Sequence, residues 1–222
     1  MVTDPRSAER ERLVALLKAR SVLLGDFVLA SGRRSSYYID CRRTTMHAEG
    51  LRLVGRVGLT AIRARGWRPD LAGGLTLGAD PVAYAIAAAS CGEPPLVSAF
   101  TVRKAPKTHG AGRRIEGCFE PGAAVVVVED VITTGASALE AARVIREEGG
   151  TVLGVFAVVD RDEGGRAALE DVVARGLHRE PTKRQASVGA FADEFAAAAT
   201  QPAGGQRPGL LGSLKGMFGA GR

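Results

Sequence analysis

Cysteine is scarce in this chain. Cys41, Cys91 and Cys118 are the three present, and they lie far apart without a CxxC pair. An odd, scattered set of this kind points away from a disulfide framework and from a zinc site. Long apolar runs are absent as well: nothing approaches the roughly 20 residues that span a bilayer, so no integral membrane segment is expected. The first residues include Asp4, Arg6, Glu9, Arg10, Glu11 and Arg12 where an export signal would be apolar, which predicts a cytoplasmic protein. Two phosphate-binding signatures are also missing. No Gly-Lys-Ser/Thr ending follows a glycine-rich loop, and no GxGxxG occurs, which argues against ATPase, kinase and nicotinamide-dependent chemistry.

What is present suits a folded protein. Of 222 residues, 45% are apolar and 24% charged, enough for one domain with a sizeable core. We expect a domain over residues 1–180 and a flexible Ala, Gly and Pro-rich tail over 181–222. In that tail, Leu210, Leu211, Leu214, Met217 and Phe218 with Lys215 offer a short membrane-contacting helix as the alternative to disorder, weakened by Gly209, Gly212, Gly216 and Gly219. The net charge of +6 favours an anionic partner without choosing between a polymer and a small phosphorylated molecule. Placement says more. Arg103, Lys104, Lys107, Arg113 and Arg114 cluster between Phe100 and Glu116, beside His109 and among Gly110, Gly112 and Gly117. Glycines at that density predict a mobile basic loop rather than a helix laid into a nucleic-acid groove.

Periodicity supplies the frame. Leu13, Leu16 and Leu17 mark an amphipathic helix over Ala8 to Arg20, and helical spacing returns from Glu49 to Arg65, where Gly66 offers a stop. Between them, Phe27 to Leu29 and Tyr37 to Ile39 read as short strands of a small antiparallel element. Beyond Pro69 the pattern alternates: a strand at Leu71 and Ala72 ending in a Gly73 and Gly74 loop, a helix over Asp80 to Ala89, and a strand over Leu96 to Val102. Then come a strand at Ala124 to Val128, a helix over Ala136 to Glu148, a strand over Val152 to Val159 and a weaker helix around Arg166 to Arg175. Such alternation predicts an α/β fold with a mainly parallel sheet and flanking helices. Ligands of such sheets bind beyond the carboxyl ends of the strands. The loops Gly73 to Asp80, Arg103 to Gly117 and Glu129 to Ser137 all start there, so one rim is expected to carry them.

The run VVVVEDVITTGAS, Val125 to Ser137, carries the clearest chemistry. An apolar strand delivers Glu129 and Asp130 to the sheet rim, and the following turn opens a helix whose first N–H groups are free to surround phosphate. Thr133, Thr134 and Ser137 add hydroxyl donors, while Gly135 permits a turn or an approach that a side chain would block. The carboxylates suit adjacent ribose hydroxyls. Ordinary N-capping of an acidic turn is the competing reading. In VRKAPKTHG, Arg103, Lys104 and Lys107 suit a diphosphate and His109 can donate a hydrogen bond or assist proton movement. A solvated charge run or a nucleic-acid contact would use the same residues, but the companion carboxylates favour a discrete sugar phosphate.

Five segments together resemble the orotate phosphoribosyltransferase family of type I phosphoribosyltransferases: FVLASGRRSSYYID from Phe27, GGLTLGADP from Gly73, VRKAPKTHG from Val102, VVVVEDVITTGAS from Val125 and VVDRDEGG from Val158. The resemblance implies the type I fold with a small N-terminal hood. It also implies transfer of a phosphoribosyl group from 5-phosphoribosyl 1-diphosphate to orotate, yielding orotidine 5'-monophosphate in pyrimidine biosynthesis. By the same resemblance, Glu129 and Asp130 bind ribose, and Thr133, Thr134, Gly135, Ala136 and Ser137 hold the 5'-phosphate. Arg103 meets diphosphate; Lys104, Lys107 and His109 belong to a catalytic loop that closes across a homodimer; Arg161 faces the orotate carboxylate; Tyr38 stacks on the base. Lys107, His109 and Asp130 are the catalytic candidates. Mg²⁺ is the implied cofactor, carried mainly by the diphosphate and ribose, with water linking it to Glu129 or Asp130; no nucleic acid is expected. The chain departs from some members at Ala30, where they have lysine, at Ile39, where they have a second aromatic, and at Leu77 and Gly78, where they have an aromatic and a lysine.

Overall fold

The computed structural model describes residues 5–28, 32, 34–105, 114–161, 163–165 and 169. The expected tail, the helix around Arg166 to Arg175 apart from Leu169, Lys107 and His109 lie outside the described residues. Helix α1, Pro5–Arg20, leads into an antiparallel pair, β1 (Val22–Val28) and β2 (Arg34–Ile39). That hairpin is the small element read from the sequence, but β1 starts at Val22 rather than Phe27, because Val22, Leu23 and Leu24 pair with Ile39, Tyr38 and Tyr37. A single turn, α2 (Arg42–Thr45), then carries the chain into α3 (Ala48–Ala64). The buried hydroxyls of Ser21 and Thr44, 2.7 Å apart, tie that turn to the end of α1.

The remaining elements form the main layer: β3 (Leu71–Leu75), α4 (Ala79–Ser90), β4 (Ser98–Val102), β5 (Ile115–Gly117), β6 (Ala124–Ile132), α5 (Ala136–Glu147) and β7 (Thr151–Asp160). The sheet order is β5-β4-β3-β6-β7. All pairings are parallel except that of β4 with the short β5, which returns from the basic loop. Three residues with little apolar character gave β5 no signature in the sequence; its pairing with Phe100, Thr101 and Val102 creates it.

Helices cover both faces. On one side Leu53, Val54 and Ile62 of α3 pack with Val82 and Ile86 of α4 against Val126 and Val128; on the other, Leu139, Val144 and Ile145 of α5 pack against Val125 and Val127. This division follows the alternation of side chains along a strand. A strand buried on both faces reads as a continuous apolar run, as VVVV does. Each of Val125 to Val128 is fully buried, and each such burial stabilises the fold by about 1.5–3 kcal/mol relative to exposure, an upper figure because unfolded chains hide part of that surface.

Two expectations are corrected. Gly73 and Gly74 do not form a loop after Ala72 but lie inside β3, paired with Phe100 and Thr101. A Cβ at Gly73 would overlap the Phe100 carbonyl, and one at Gly74 the Val128 carbonyl, so their glycine identity reflects close strand approach. The second concerns β6, which runs four residues past Val128, to Ile132, because β7 pairs with it as far as Asp160. Glu129 and Asp130 are therefore strand residues, whereas a sequence-level boundary fell where the apolar run stopped. No helix among the described residues is long and apolar enough to cross a membrane.

Candidate active site

β3, β4 and β6 run parallel, so their carboxyl ends lie on one edge. From that edge come the connection Thr76–Gly78, the basic segment starting at Arg103, and the turn Thr133–Gly135. The rim expected from the sequence is thus formed by the sheet itself.

Strand alternation gives the two acidic neighbours different surroundings. Glu129 is buried, and one carboxylate oxygen, Oε1, has no hydrogen-bond partner among the described residues. Burial, reinforced by the charge of Asp130 and opposed by Lys104, pushes its carboxyl up to about 8. Asp130 is partly buried, and desolvation raises its carboxyl too, although the Val131 N–H donates to Oδ1 at 2.9 Å and Arg42 opposes the rise. The Asp130 carboxylate lies against Gly78, where a Cβ would overlap it. A lysine at position 78 would need to displace that carboxylate, so Gly78 and the placement of Asp130 belong together.

A carboxyl that titrates near 8 when folded, against an ordinary 4.5, binds a proton on folding. The ligand-free protein should accordingly lose stability as pH rises from 4.5 to about 8, with the loss levelling off above that window. Glu129→Gln should flatten this segment and, on the alkaline side, exceed the wild type by a few kcal/mol, on the order of the shift itself. Urea unfolding on either side of the window checks this; parallel pH profiles for the two proteins would refute it.

The turn after β6 enters α5 through Gly135, whose φ of +84° is a left-handed conformation suited to glycine. The Thr133 carbonyl accepts the Gly165 N–H at 3.0 Å, and a Cβ at Gly165 would overlap that same carbonyl. Gly165 therefore buttresses the turn from the VVDRDEGG segment. Nothing in the sequence tied it there, because the contact spans 32 positions. Thr134 and Ser137 are exposed at the start of α5, with Ala136 between them and Thr133 partly covered. The first turn of α5, with its free N–H groups, starts at Gly135 and has no side-chain cap, the arrangement that suits a phosphate.

Across the rim, Arg103 pairs with Glu116 at 2.9 Å, and Lys104 is close enough to Glu129 to favour its ionised form. Beside them the Asp80 carboxylate accepts hydrogen bonds from Thr76 Oγ1 at 2.7 Å and Thr101 Oγ1 at 2.9 Å, which fixes the Thr76–Gly78 connection to α4 and β4. Asp80 had appeared in the sequence only as the start of a helix. A cavity of about 550 Å³ opens on the β4–β5 side of this connection and is lined by Asp80, Tyr84, Arg103 and Lys104.

Arg161 follows β7 and is nearly enclosed. Its N–H bonds the Ile132 carbonyl at 3.0 Å, its guanidinium pairs with Glu163 at 3.0 Å, and its Cζ stands 5.2 Å from the centre of the Tyr37 ring. The aromatic beside Arg161 is thus Tyr37, on the more covered face of β2. Tyr38, the aromatic singled out in the sequence, projects to the other face, 38% exposed, with its ring 5.7 Å from that of Phe27.

A mainly parallel sheet with a hood, an acidic strand end and a glycine turn opening a helix defines the type I phosphoribosyltransferase class. No family model matches the chain, but individual relatives do. It is 50% identical over 165 residues to the orotate phosphoribosyltransferase of Aquifex aeolicus, covering 73% of this chain and 89% of that protein. It is 47% identical over 169 residues to the orotate phosphoribosyltransferase of Mycobacterium leprae, covering 76% and 90%. Among solved structures, that of the Mycobacterium tuberculosis orotate phosphoribosyltransferase in complex with 5-phospho-alpha-D-ribosyl 1-diphosphate aligns with TM-score 0.60 at 36% identity, covering 77% of this chain and 85% of that one. The complex of the same enzyme with Fe(III) dicitrate aligns with TM-score 0.66 at 45% identity, covering 73% and 90%. The chain belongs to the orotate phosphoribosyltransferase family.

Proposed function

We propose that this protein transfers the 5-phosphoribosyl group from 5-phosphoribosyl 1-diphosphate to a ring nitrogen of orotate, releasing diphosphate and forming orotidine 5'-monophosphate for pyrimidine biosynthesis. The observation that carries the reading is the convergence, on one sheet edge, of the acidic β6 end, the Gly135 turn and the Arg103–Lys104 segment. The turn and the first N–H groups of α5 take the 5'-phosphate, with Thr133, Thr134 and Ser137 adding hydroxyls and Gly135 and Ala136 contributing backbone. Glu129 and Asp130 accept hydrogen bonds from the ribose hydroxyls.

The ribose C1 gains positive, oxocarbenium-like charge as its bond to diphosphate loosens. Asp130, on the same rim, holds negative charge near the sugar, while Arg103 and Lys104 with Lys107 and His109 face the departing anion; these are electrostatic and positioning effects. Attack by orotate already deprotonated at that ring nitrogen, from the face opposite the departing diphosphate, forms the C1–N bond as the C1–O bond breaks and inverts C1. Arg161 pairs with the orotate carboxylate, and the ring next to it that can meet the base is Tyr37 rather than Tyr38, which faces away.

The uncompensated Glu129 Oε1 beside Asp130 fits a divalent cation approached through water. Bound Mg²⁺ would neutralise diphosphate charge, with Glu129 and Asp130 as its protein-side partners. A homodimer in which the basic loop of one chain serves the other's site completes the reading.

Purified protein, orotate, 5-phosphoribosyl 1-diphosphate and Mg²⁺, with no nucleic acid, should release diphosphate and form orotidine 5'-monophosphate. Chelation should abolish the reaction and re-addition of Mg²⁺ restore it. Equal or faster release with a purine or uracil in place of orotate would overturn the base assignment, and activity only with added RNA or DNA would overturn the enzyme reading.

A further inference from the structure

We infer that Arg114 is a positioning residue for phosphoribosyl transfer, anchoring the root of the basic loop to the helix that opens at the phosphate turn. This inference rests on the phosphoribosyl-transfer reading of the rim. The guanidinium donates from Nε and Nη2 to the Arg103 carbonyl, at 3.2 and 3.0 Å, and from Nη2 to the Lys104 carbonyl at 3.1 Å. Its remaining arm, Nη1, donates to Glu140 Oε1 at 2.6 Å. The main chain closes the same contact, since the Arg103 N–H donates to the Arg114 carbonyl at 2.8 Å.

One side chain therefore holds two consecutive carbonyls, and their residues carry the two cations that face the rim. Glu140 lies in α5, one turn beyond Ala136, and is itself gripped by Arg143 through both carboxylate oxygens at 2.9 Å. Arg143 in turn pairs with Glu147. The anchor is thus pinned to a braced helix rather than to a loose side chain. Arg114 and Glu140 are only 16% and 28% exposed, where an ion pair is screened less than at the open surface. Both neighbouring arginines hold the Glu140 carboxyl below its usual range.

A lysine cannot replace this fork. Its single ammonium would reach Glu140 or a carbonyl, whereas the planar guanidinium serves both directions at once. In the sequence, Arg114 counted as one more positive charge aimed at an anion. In the structure its charge is spent inside the protein, and the anion-facing work is left to the residues it holds.

The test is steady-state kinetics with each substrate varied, alongside calorimetric binding of 5-phosphoribosyl 1-diphosphate with Mg²⁺ and no orotate. Arg114→Ala should weaken phosphoribosyl diphosphate binding and raise its KM roughly tenfold, with the orotate KM within about twofold, the split expected of misplaced diphosphate contacts. Arg114→Lys should recover only part of the loss. Glu140→Ala should reproduce part of it, and the double variant should be no worse than Arg114→Ala alone. Should Arg114→Ala fail to fold, Arg114→Lys and Glu140→Ala carry the same split. A folded variant with unchanged diphosphate-donor binding, or with both KM values shifted equally, overturns the anchor. A wild type that binds the donor but does not react with orotate overturns the base assignment alone, because donor affinities of the variants still report on the anchor. A wild type that does not bind the donor overturns both.

Discussion

Asp130→Asn should lower kcat/KM for 5-phosphoribosyl 1-diphosphate by about 100-fold or more, as expected when a charge close to a developing cation is removed. Folding should survive. Asparagine has nearly the same shape, its carbonyl oxygen can accept the Val131 N–H as Oδ1 does at 2.9 Å, and Gly78 leaves the room the group already uses. Loss of the negative charge also relieves Glu129, whose carboxyl is pushed up partly by Asp130. Thermal unfolding of the ligand-free variant should therefore match or exceed the wild type above neutral pH. An inactive and destabilised variant would assign Asp130 to the fold instead. Lys107→Ala should be comparably inactive, because the resemblance places it at the leaving diphosphate. If each site borrows the partner's Lys107, mixing the two variants regenerates one complete site in each mixed dimer. Random exchange makes half of the dimers mixed, each with one of two sites complete, so about a quarter of wild-type activity should return. No recovery in a sample shown to contain mixed dimers would remove the shared loop.

The sequence was most informative where one physical requirement acts on a contiguous run. Val125 to Val128 are apolar because both sheet faces are covered, and Gly135 precedes Ala136 because the helix entry there needs a positive φ. It was least informative where a requirement is met from far along the chain. The continuation of β6 through Glu129 and Asp130 depends on β7, and acidic residues carry no strand signature of their own. Gly73 and Gly74 resembled a loop because the carbonyls that exclude their Cβ atoms belong to Phe100 and Val128. The same holds within the site. Gly165 against Thr133, Gly78 against Asp130 and Tyr37 over Arg161 are all contacts between segments that the sequence could place on one rim but not against one another. Of the two missing lysines, the one at Gly78 would push aside the Asp130 carboxylate, and Ala30 lies outside the described residues.

Arg161→Ala should raise the orotate KM by about 100-fold or more while leaving that of 5-phosphoribosyl 1-diphosphate within a few-fold, the cost expected for removing one partner of an enclosed charge pair. The guanidinium is held in place by its neighbours. Its side chain is 7% exposed, Glu163 takes Nη2 at 3.0 Å, and the Tyr37 ring covers its face. Nε is enclosed without a partner among the described residues, so the fork is incompletely used in the ligand-free protein. A carboxylate reaching the guanidinium gains an ion pair, and uracil, which lacks a carboxylate, does not. Arg161→Lys keeps the charge but loses the planar fork and the ring contact, and should fall between wild type and alanine. The decisive quantity is a ratio: the preference for orotate over uracil, measured as kcat/KM, should collapse in Arg161→Ala chiefly through the orotate term. A variant that loses both bases equally, or keeps the wild-type preference, would show that Arg161 with its Glu163 and Tyr37 neighbours supports the β7 end and does not read the base.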